Sequence, residues 1–329
     1  MPNRRSLLEC LVGLGALAAL PARAATPPGK RRLGVLLFDG PEVWEFLPPQ
    51  LLKELALLGW VEGANLSVDW RYARGDAGAL TTMAAQMIKS GVDAILTRGT
   101  PVTRVLLLQQ ATTTVPISTG VGDPVGFGFA KTLARPGSNI TGISYGVVEA
   151  SRKQVELLGT MAPRLSTMLA VLPADRLAFS KDLMSAIVGA AGESGIAAKI
   201  VPVAGAADLR AALANDRPRG EVGAFVTALG TMIEPKAIAE LAIAAGVSTM
   251  FDYRLYVDAG GLASYRFDWD NQVQRSAAQL DKVFRGEKPA QIPFEFLTRS
   301  EFVLNVATAK ALGLTVPNAL RLRADAVVP

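Results

Sequence analysis

The chain has 329 residues, of which half are apolar and 19% are charged, so a disordered protein is excluded. This length is more than one hydrophobic core normally supports, and we expect two lobes. The net charge of +5 includes no basic block, which argues against nucleic acid as a partner. The sequence has no histidine and a single cysteine, Cys10, which excludes a histidine base, an internal disulfide and a cysteine-based zinc site.

Residues 1–24 have the three parts of a cleavable export signal. Two arginines give a positive start, residues 7–20 form an apolar stretch, and Ala22 and Ala24 are the small residues that a signal peptidase recognises. The apolar stretch is shorter than the ~20 residues that span a membrane. We therefore predict cleavage after Ala24 and a periplasmic location.

Two details of this segment leave alternatives open. Arg4 and Arg5 are typical of the twin-arginine export route, although paired arginines also occur in ordinary secretory signals. Cys10 indicates a lipoprotein only weakly, because Leu8 and Glu9 before it do not fit a lipid-attachment box. The sequence does not decide between the two export routes.

Residues 31–146 alternate short apolar runs with amphipathic segments, which is typical of a parallel sheet covered by helices on both faces. The predicted strands are 33–38, 66–70, 94–97, a run that begins at 115–117, and 140–143. Thr100 and Pro101 predict a helix start, with threonine as the N-cap and proline at the first helical position.

The same alternation begins again in residues 147–266, with predicted strands at 167–172, 199–203, 224–227, 248–251 and 262–265. Two βαβ arrays in series predict an α/β fold of two doubly wound parallel-sheet lobes, with a hinge and a ligand cleft at the carboxyl ends of the strands. We assign 31–146 to the N-terminal lobe, 147–266 to the C-terminal lobe, and 267–329 to a tail that returns to the N-terminal lobe. The chain then crosses the hinge near Tyr145–Gly146, near Arg266–Phe267 and near Phe294.

Five sequence phrases occur in a characteristic order. They are LGWVEG at 58–63, TRGTP at 97–101, GVGDPVG at 120–126, LARPGSNITG at 133–142 and TAKALGL at 308–314. With these phrases the chain resembles the ABC-transporter substrate-binding proteins related to the tryptophan/tyrosine-binding type, over nearly all of residues 31–328.

This resemblance implies a two-lobed type I periplasmic-binding fold. It also implies a small-molecule ligand that is delivered to a membrane permease driven by a cytoplasmic ATPase. Members of known ligand tend to bind aromatic amino acids, so an amino acid or an analogue is the expected ligand.

The first candidate binding element is the turn formed by Gly99, Thr100 and Pro101. It follows a predicted strand and opens a helix, where free N–H groups and the helix dipole favour a carboxylate. The Thr100 hydroxyl could contact the ligand or only cap the helix, and both interpretations stay open.

Two further strand ends in the N-terminal lobe supply candidates. Gly122 allows close approach of a ligand, and Asp123 could accept a hydrogen bond from a ligand amine or stabilise its own turn. Phe38 could form a pocket wall or belong to the core, and Asp39 could bind an amine or cap the following turn.

The C-terminal lobe offers Asp175, Leu229, Asp252 and Tyr253 after its predicted strands. Asp252 is an acceptor and Tyr253 offers a flat stacking face, although a solvated loop is the alternative. Relatives in the resembled family often carry Asn-Pro near position 175 and Pro-Asp at 228–229, where this sequence differs. The resemblance therefore does not fix tryptophan or tyrosine as the ligand.

Other functions fit the sequence less well. An enzyme is disfavoured because the chain has no histidine, no nucleophile elbow and no Gly-x-Gly-x-x-Gly turn after its first strand. A sugar-responsive transcription regulator would need a helix-turn-helix where the export signal stands. A ligand sensor that serves a signalling receptor stays open. We predict no catalytic residue, no metal, no cofactor and a monomer.

Overall fold

The computed structural model describes residues 29–109, 115–174, 177, 180–215, 221–227, 233–297 and 299–329. The predicted export signal and two predicted site residues, Asp175 and Leu229, lie outside these residues.

In chain order, the strands are β1 (Arg31–Leu37), β2 (Leu66–Tyr72), β3 (Ala94–Arg98), β4 (Ile117–Val121), β5 (Ile140–Ser144), β6 (Leu165–Pro173), β7 (Ala197–Val203), β8 (Glu221–Val226), β9 (Ser248–Phe251), β10 (Ala263–Phe267), β11 (Glu295–Phe296), β12 (Ser300–Asn305) and β13 (Ala326–Val328). The helices are α1 (Leu47–Leu57), α2 (Ala77–Lys89), α3 (Thr100–Gln109), α4 (Val147–Met161), α5 (Lys181–Glu193), α6 (Ala206–Asn215), α7 (Pro235–Ala245), α8 (Arg254–Asp258), α9 (Trp269–Phe284), α10 (Val306–Ala311) and α11 (Asn318–Arg323).

The first sheet has six parallel strands in the order β11-β5-β4-β3-β1-β2. Strand β1 is apolar and buried from Leu33 to Leu37 because helices cover both faces of the sheet. Leu33 and Val35 face a core shared with α1 and α9, whereas Leu36 packs in a second core with α2 and α3. This arrangement matches the doubly covered strand predicted from residues 33–38.

The second sheet has seven strands in the order β13-β12-β10-β9-β8-β6-β7, and they are parallel except for the antiparallel pair β10 and β12. Helices α4 and α5 cover one face through residues such as Leu158 and Ile187. Helices α6 and α7 cover the other through Leu209 and Ile238. Two doubly wound lobes therefore follow one another along the chain, as the repeated βαβ alternation predicts.

The tail divides between the two sheets, which corrects the prediction that all of residues 267–329 return to the N-terminal lobe. Helix α9 packs on α1, and β11 pairs with β5 at the edge of the first sheet. Strand β12 instead joins the second sheet beside β10, and Phe302, Leu304 and Leu320 are buried in the core under α4. The apolar residues of 300–320 complete this second core, which explains why the chain crosses back.

The chain passes between the sheets at three places among the described residues: between β5 and α4, between β10 and α9, and between β11 and β12. At the first crossing Gly146 has a φ of +54°, in the left-handed region that favours glycine. A Cβ there would lie 2.1 Å from the Phe296 ring, so the close packing at this crossing also requires a residue without a side chain. None of the described helices is long and apolar enough to cross a membrane.

Candidate functional site

A cavity of about 310 Å³ lies between the two lobes. Gly99 after β3, Gly122 after β4 and Tyr145 after β5 form part of its wall from the first lobe, and Asp252 after β9 does so from the second. Open α/β sheets bind ligands at the carboxyl ends of their strands, and this cavity lies at such ends in both sheets. Ligand pockets measure about 300–1,000 Å³, so the volume suits one small molecule.

The turn between β3 and α3 presents a helix start to the cavity. Gly99 has a φ of +90°, its N–H donates to the Gly120 carbonyl at 2.7 Å, and its own carbonyl accepts from the Thr103 N–H at 3.2 Å. Gly99 is therefore the N-cap residue of α3, and Thr100 is its first helical residue instead of the predicted cap. The Thr100 hydroxyl makes no hydrogen bond with another described residue, and it lines the cavity.

Behind this turn, a chain of three polar side chains leads to the cavity. The Arg98 guanidinium is 5% exposed, and its Nη1 donates to Oε1 of the fully buried Gln272 at 2.5 Å. Gln272 Nε2 donates to Tyr145 Oη at 2.7 Å, and both Gln272 and Tyr145 line the cavity. The guanidinium also lies over the Trp44 ring, 5.4 Å from its centroid.

Burial shifts the pKa of the two side chains at the ends of this hydrogen-bonded series, Arg98 and Tyr145. It lowers the pKa of the Arg98 guanidinium, which nevertheless stays charged as arginine does in proteins. Burial raises the pKa of the Tyr145 phenol above its ordinary value, although the nearby Arg98 charge acts in the opposite direction. Tyr145 therefore keeps its proton at neutral pH, and the cavity contacts a neutral hydroxyl with a cation behind it.

The wall from the second lobe is built from half-buried side chains. Asp252 accepts a hydrogen bond from the Thr227 hydroxyl, and Tyr253 follows it at the start of α8. The Arg266 guanidinium lies 5.8 Å from the centroid of the Tyr253 ring and forms an ion pair of 3.4 Å with Glu301. Burial raises the pKa of the Tyr253 phenol, and the Asp252 charge raises it further. This wall therefore offers a carboxylate acceptor, a protonated phenol and a flat ring.

The rest of the lining is mostly apolar and aromatic. Its members are Phe127, Val147, Ala150, Leu183, Tyr265 and Leu297. Gln154, which is 5% exposed, also lines the cavity and donates from Nε2 to the Tyr265 carbonyl at 2.8 Å. Ser180 and Asp182 complete the wall where α5 begins. Such a cavity suits a ligand that has a flat, apolar body with polar groups at its ends.

The structure brings six predicted site residues together on this wall: Gly99, Thr100, Pro101, Gly122, Asp252 and Tyr253. Three others do not line the cavity. Asp123 accepts from the N–H groups of Val125 at 3.1 Å and Gly126 at 2.8 Å, which is the turn-stabilising role that the sequence offered beside that of amine acceptor. Phe38 packs against the core beside α2 and α3, and Asp39 is half-buried next to it away from the cavity wall.

Several wall residues were not predicted, and Tyr145 and Gln272 are the most informative. Tyr145 follows β5, so the rule that singled out other strand ends could have found it. Gln272 lies in the first turns of α9, 127 residues after Tyr145 in the chain, and no local pattern marks it. Among the residues that the structure describes, no group of three or more Asp, Glu, His or Cys residues could hold a metal ion.

Comparison with known proteins gives a family and several relatives. The family described as ABC transporter substrate binding protein matches residues 50–328. The chain is also similar to the tyrosine-binding protein of Clostridioides difficile (strain R20291). The two are 22% identical over 265 residues, which are 80% of this chain and 75% of that protein.

Solved structures share the fold. A conserved domain protein from Vibrio cholerae O1 biovar El Tor has a TM-score of 0.76 and 24% identity, over 91% of this chain and 99% of that one. The ABC domain in complex with L-Trp from Streptococcus pneumoniae has a TM-score of 0.76 and 22% identity, over 91% of this chain and 100% of that one. These similarities confirm the predicted two-lobed α/β fold class.

Proposed function

The chain belongs to the family of ABC transporter substrate-binding proteins, as its five sequence phrases predicted, and we propose that it is the periplasmic solute-binding component of an importer. Its ligand is a small organic acid, most simply an amino acid or a close analogue. The cavity at the strand ends of both sheets is the observation that carries this proposal. The positive start, apolar stretch and small residues of 1–24 support export of the protein.

In this proposal each wall of the cavity holds a different part of the ligand. The start of α3 offers the N–H and the hydroxyl of Thr100 to a carboxylate, beside the open turn at Gly99. Asp252 takes the role of amine acceptor that the sequence offered for Asp123, and the Tyr253 ring stacks on the flat part of the ligand. The apolar lining accommodates the body of the side chain. Two relatives, the tyrosine-binding protein of Clostridioides difficile and the Streptococcus pneumoniae domain in complex with L-Trp, support an amino acid of this kind.

The three chain crossings supply a hinge about which the lobes close on the ligand. In domain closure of this type, a few residues between the two rigid lobes take up the change in backbone dihedral angles. A ligand that contacts both walls favours the closed arrangement only through its higher affinity for that arrangement. Gly146 at the first crossing is a suitable hinge residue because its backbone is least restricted there.

Thermal unfolding of the purified protein tests the proposed function. The panel contains the common amino acids, small carboxylates without an amine, and nucleosides. We expect an amino acid to raise the unfolding temperature, because a ligand at a hundredfold excess over its Kd stabilises the folded state by about 2.7 kcal/mol.

The primary amides of the same amino acids are the matched control ligands, since they keep the side chain and the amine but lose the anionic head. We expect smaller shifts with them. A protein that responds to nucleosides and to no amino acid or carboxylate would contradict the proposal.

A further inference from the structure

The hydrogen bonds from Arg98 to Tyr145 have a fixed direction. A guanidinium has donors and no acceptor, so the group that Arg98 contacts on Gln272 must be the amide oxygen. The Gln272 nitrogen then faces Tyr145 and donates to its hydroxyl oxygen. Tyr145 is the acceptor in that bond, so its own hydrogen makes it the donor in its next one.

The Tyr145 hydroxyl lies beside the turn that begins α3. A Cβ on Gly120 would be 1.8 Å from Tyr145 Oη and 2.3 Å from Gln272 Nε2, so the two side chains meet directly over this glycine. The carbonyl of Gly120 accepts the hydrogen bond from the Gly99 N–H at 2.7 Å. The Tyr145 hydroxyl and the Gly99–Thr100 turn therefore form adjacent parts of one wall.

The charge of Arg98 strengthens the Tyr145 hydroxyl as a hydrogen-bond donor to a ligand in the cavity. Arg98 is 5% exposed and Gln272 is fully buried, so the charge acts through a medium of low effective dielectric constant. Hydrogen bonds that follow one another in a chain polarise each other in the same direction. A carboxylate that accepts from such a hydroxyl also gains from the charge of the guanidinium behind it.

We propose that Tyr145 donates a hydrogen bond to the anionic head of the ligand, and that Arg98 and Gln272 are positioning residues that orient and strengthen this donor. The inference rests on the proposed function and adds the residues that select a carboxylate over a neutral head group. Tyr145 and Thr100 together then contact the carboxylate from the first lobe.

Calorimetric titration of the purified protein with two ligand pairs tests the inference. The pairs are L-tryptophan with L-tryptophanamide and L-tyrosine with L-tyrosinamide, which differ within each pair only in the head group. We expect the wild-type protein to bind an acid at least about tenfold more tightly than its amide. In Tyr145→Phe, which keeps the ring and removes the donor, we expect this ratio to fall to within about threefold.

Tyr72→Phe is the matched control, because it removes a hydroxyl from a tyrosine at the end of β2 that does not line the cavity. The ratio of acid to amide affinity should stay at its wild-type value there. An unchanged ratio in Tyr145→Phe would overturn the inference and leave the proposed function standing. Failure of both acids to bind the wild-type protein would overturn the inference, whereas the proposed function is overturned only if no amino acid or carboxylate of the thermal-unfolding panel binds.

The positioning role of Gln272 has its own measurement. Gln272→Met keeps the approximate length of the side chain and removes the link between Arg98 and Tyr145. We expect it to lower the ratio of acid to amide affinity, and the double variant with Tyr145→Phe to lower it no further. If Gln272→Met does not fold, Gln272→Asn breaks the same contacts by shortening the amide. Equal losses of affinity for acid and amide, or additive losses in the double variant, would show that Gln272 has only a structural role.

Discussion

The two lobes contribute to the cavity in different ways. The first lobe provides a wall of backbone and buried polar groups, in which the Gly99 turn and the chain from Arg98 to Tyr145 are held by hydrogen bonds within the lobe. The second lobe provides half-buried side chains such as Asp252, which accepts from the Thr227 hydroxyl, and Arg266, which pairs with Glu301 and lies over the Tyr253 ring. Fixed donors are therefore concentrated on one side, and adaptable side chains on the other.

This difference indicates a division of roles in ligand recognition. A wall with fixed donors loses little entropy when it binds, so it suits the part that all accepted ligands share. A wall of side chains is more easily altered by substitution, so it suits the part that distinguishes one ligand from another. Substitutions on the first wall should then weaken binding of every ligand, whereas substitutions on the second should change the preference among ligands.

Gly120→Ala should have the largest effect, because it disrupts the first wall at its centre. The new Cβ would lie 1.8 Å from Tyr145 Oη and 2.3 Å from Gln272 Nε2, so both side chains must move. We expect affinity for an amino-acid ligand to fall about a hundredfold, or about 2.7 kcal/mol. The free energy of unfolding should fall by about 1–3 kcal/mol, as for an overpacked site. Calorimetric titration and denaturant unfolding measure the two.

Gly189→Ala is the matched control for this substitution. Gly189 lies within α5, and apart from its chain neighbours and the backbone of its own helix no described atom lies within 4 Å of the position its Cβ would take. Affinity should be unchanged, and stability should rise by roughly 0.5–1 kcal/mol because alanine favours a helix. Normal binding by Gly120→Ala would show that the first wall is not fixed in the way described.

Thr100→Ala should have the next largest effect. The hydroxyl lines the cavity and makes no hydrogen bond with another described residue, so its removal costs the fold little. We expect binding to weaken by about 1–3 kcal/mol if the hydroxyl contacts a charged group, with little change in unfolding temperature. Titration and thermal unfolding of the variant measure both. Unchanged affinity would remove the Thr100 hydroxyl from the site and leave Tyr145 and Asp252 as the proposed polar contacts.

Asp252→Asn should have the smallest effect, and it tests whether the second wall distinguishes one ligand from another. Asparagine keeps the size of the side chain and can still accept from Thr227, but it loses the charge that attracts an amine. We expect binding of L-tryptophan to weaken by about 0.5–1.5 kcal/mol, whereas indole-3-propionate, which lacks the amine, should bind as before. Equal losses of affinity for the two ligands would mean that the ligand amine does not contact Asp252.

The sequence predicts wall residues in both lobes, and the reason is local. Gly99, Thr100 and Gly122 follow apolar strands directly, so the strand ends and the turn residues mark them in one stretch of sequence. Asp123 follows another strand, but an aspartate two residues from free N–H groups has a competing local role, and that role is the one the structure shows. A strand end alone does not say which way a side chain faces.

Residues of the tail could not be assigned from the sequence for a different reason. Gln272 contacts Arg98 across 174 residues of chain, and only the packing of α9 on the first sheet brings them together. Strand β12 has an apolar pattern that fits either sheet, and its antiparallel place beside β10 depends on which core still lacks apolar residues. Contacts of this kind are properties of the assembled fold, not of any local pattern.

The divided tail also determines when the protein can fold during synthesis. Domains usually fold as units, the N-terminal one first, while the ribosome is still extending the chain. Here the first lobe lacks its helix α9 and its edge strand until Phe296 has been made, and the second lobe lacks two strands until Val328. Contacts so distant in sequence form slowly compared with local ones. The two lobes, and with them both walls of the cavity, are therefore completed only after the divided tail has been made.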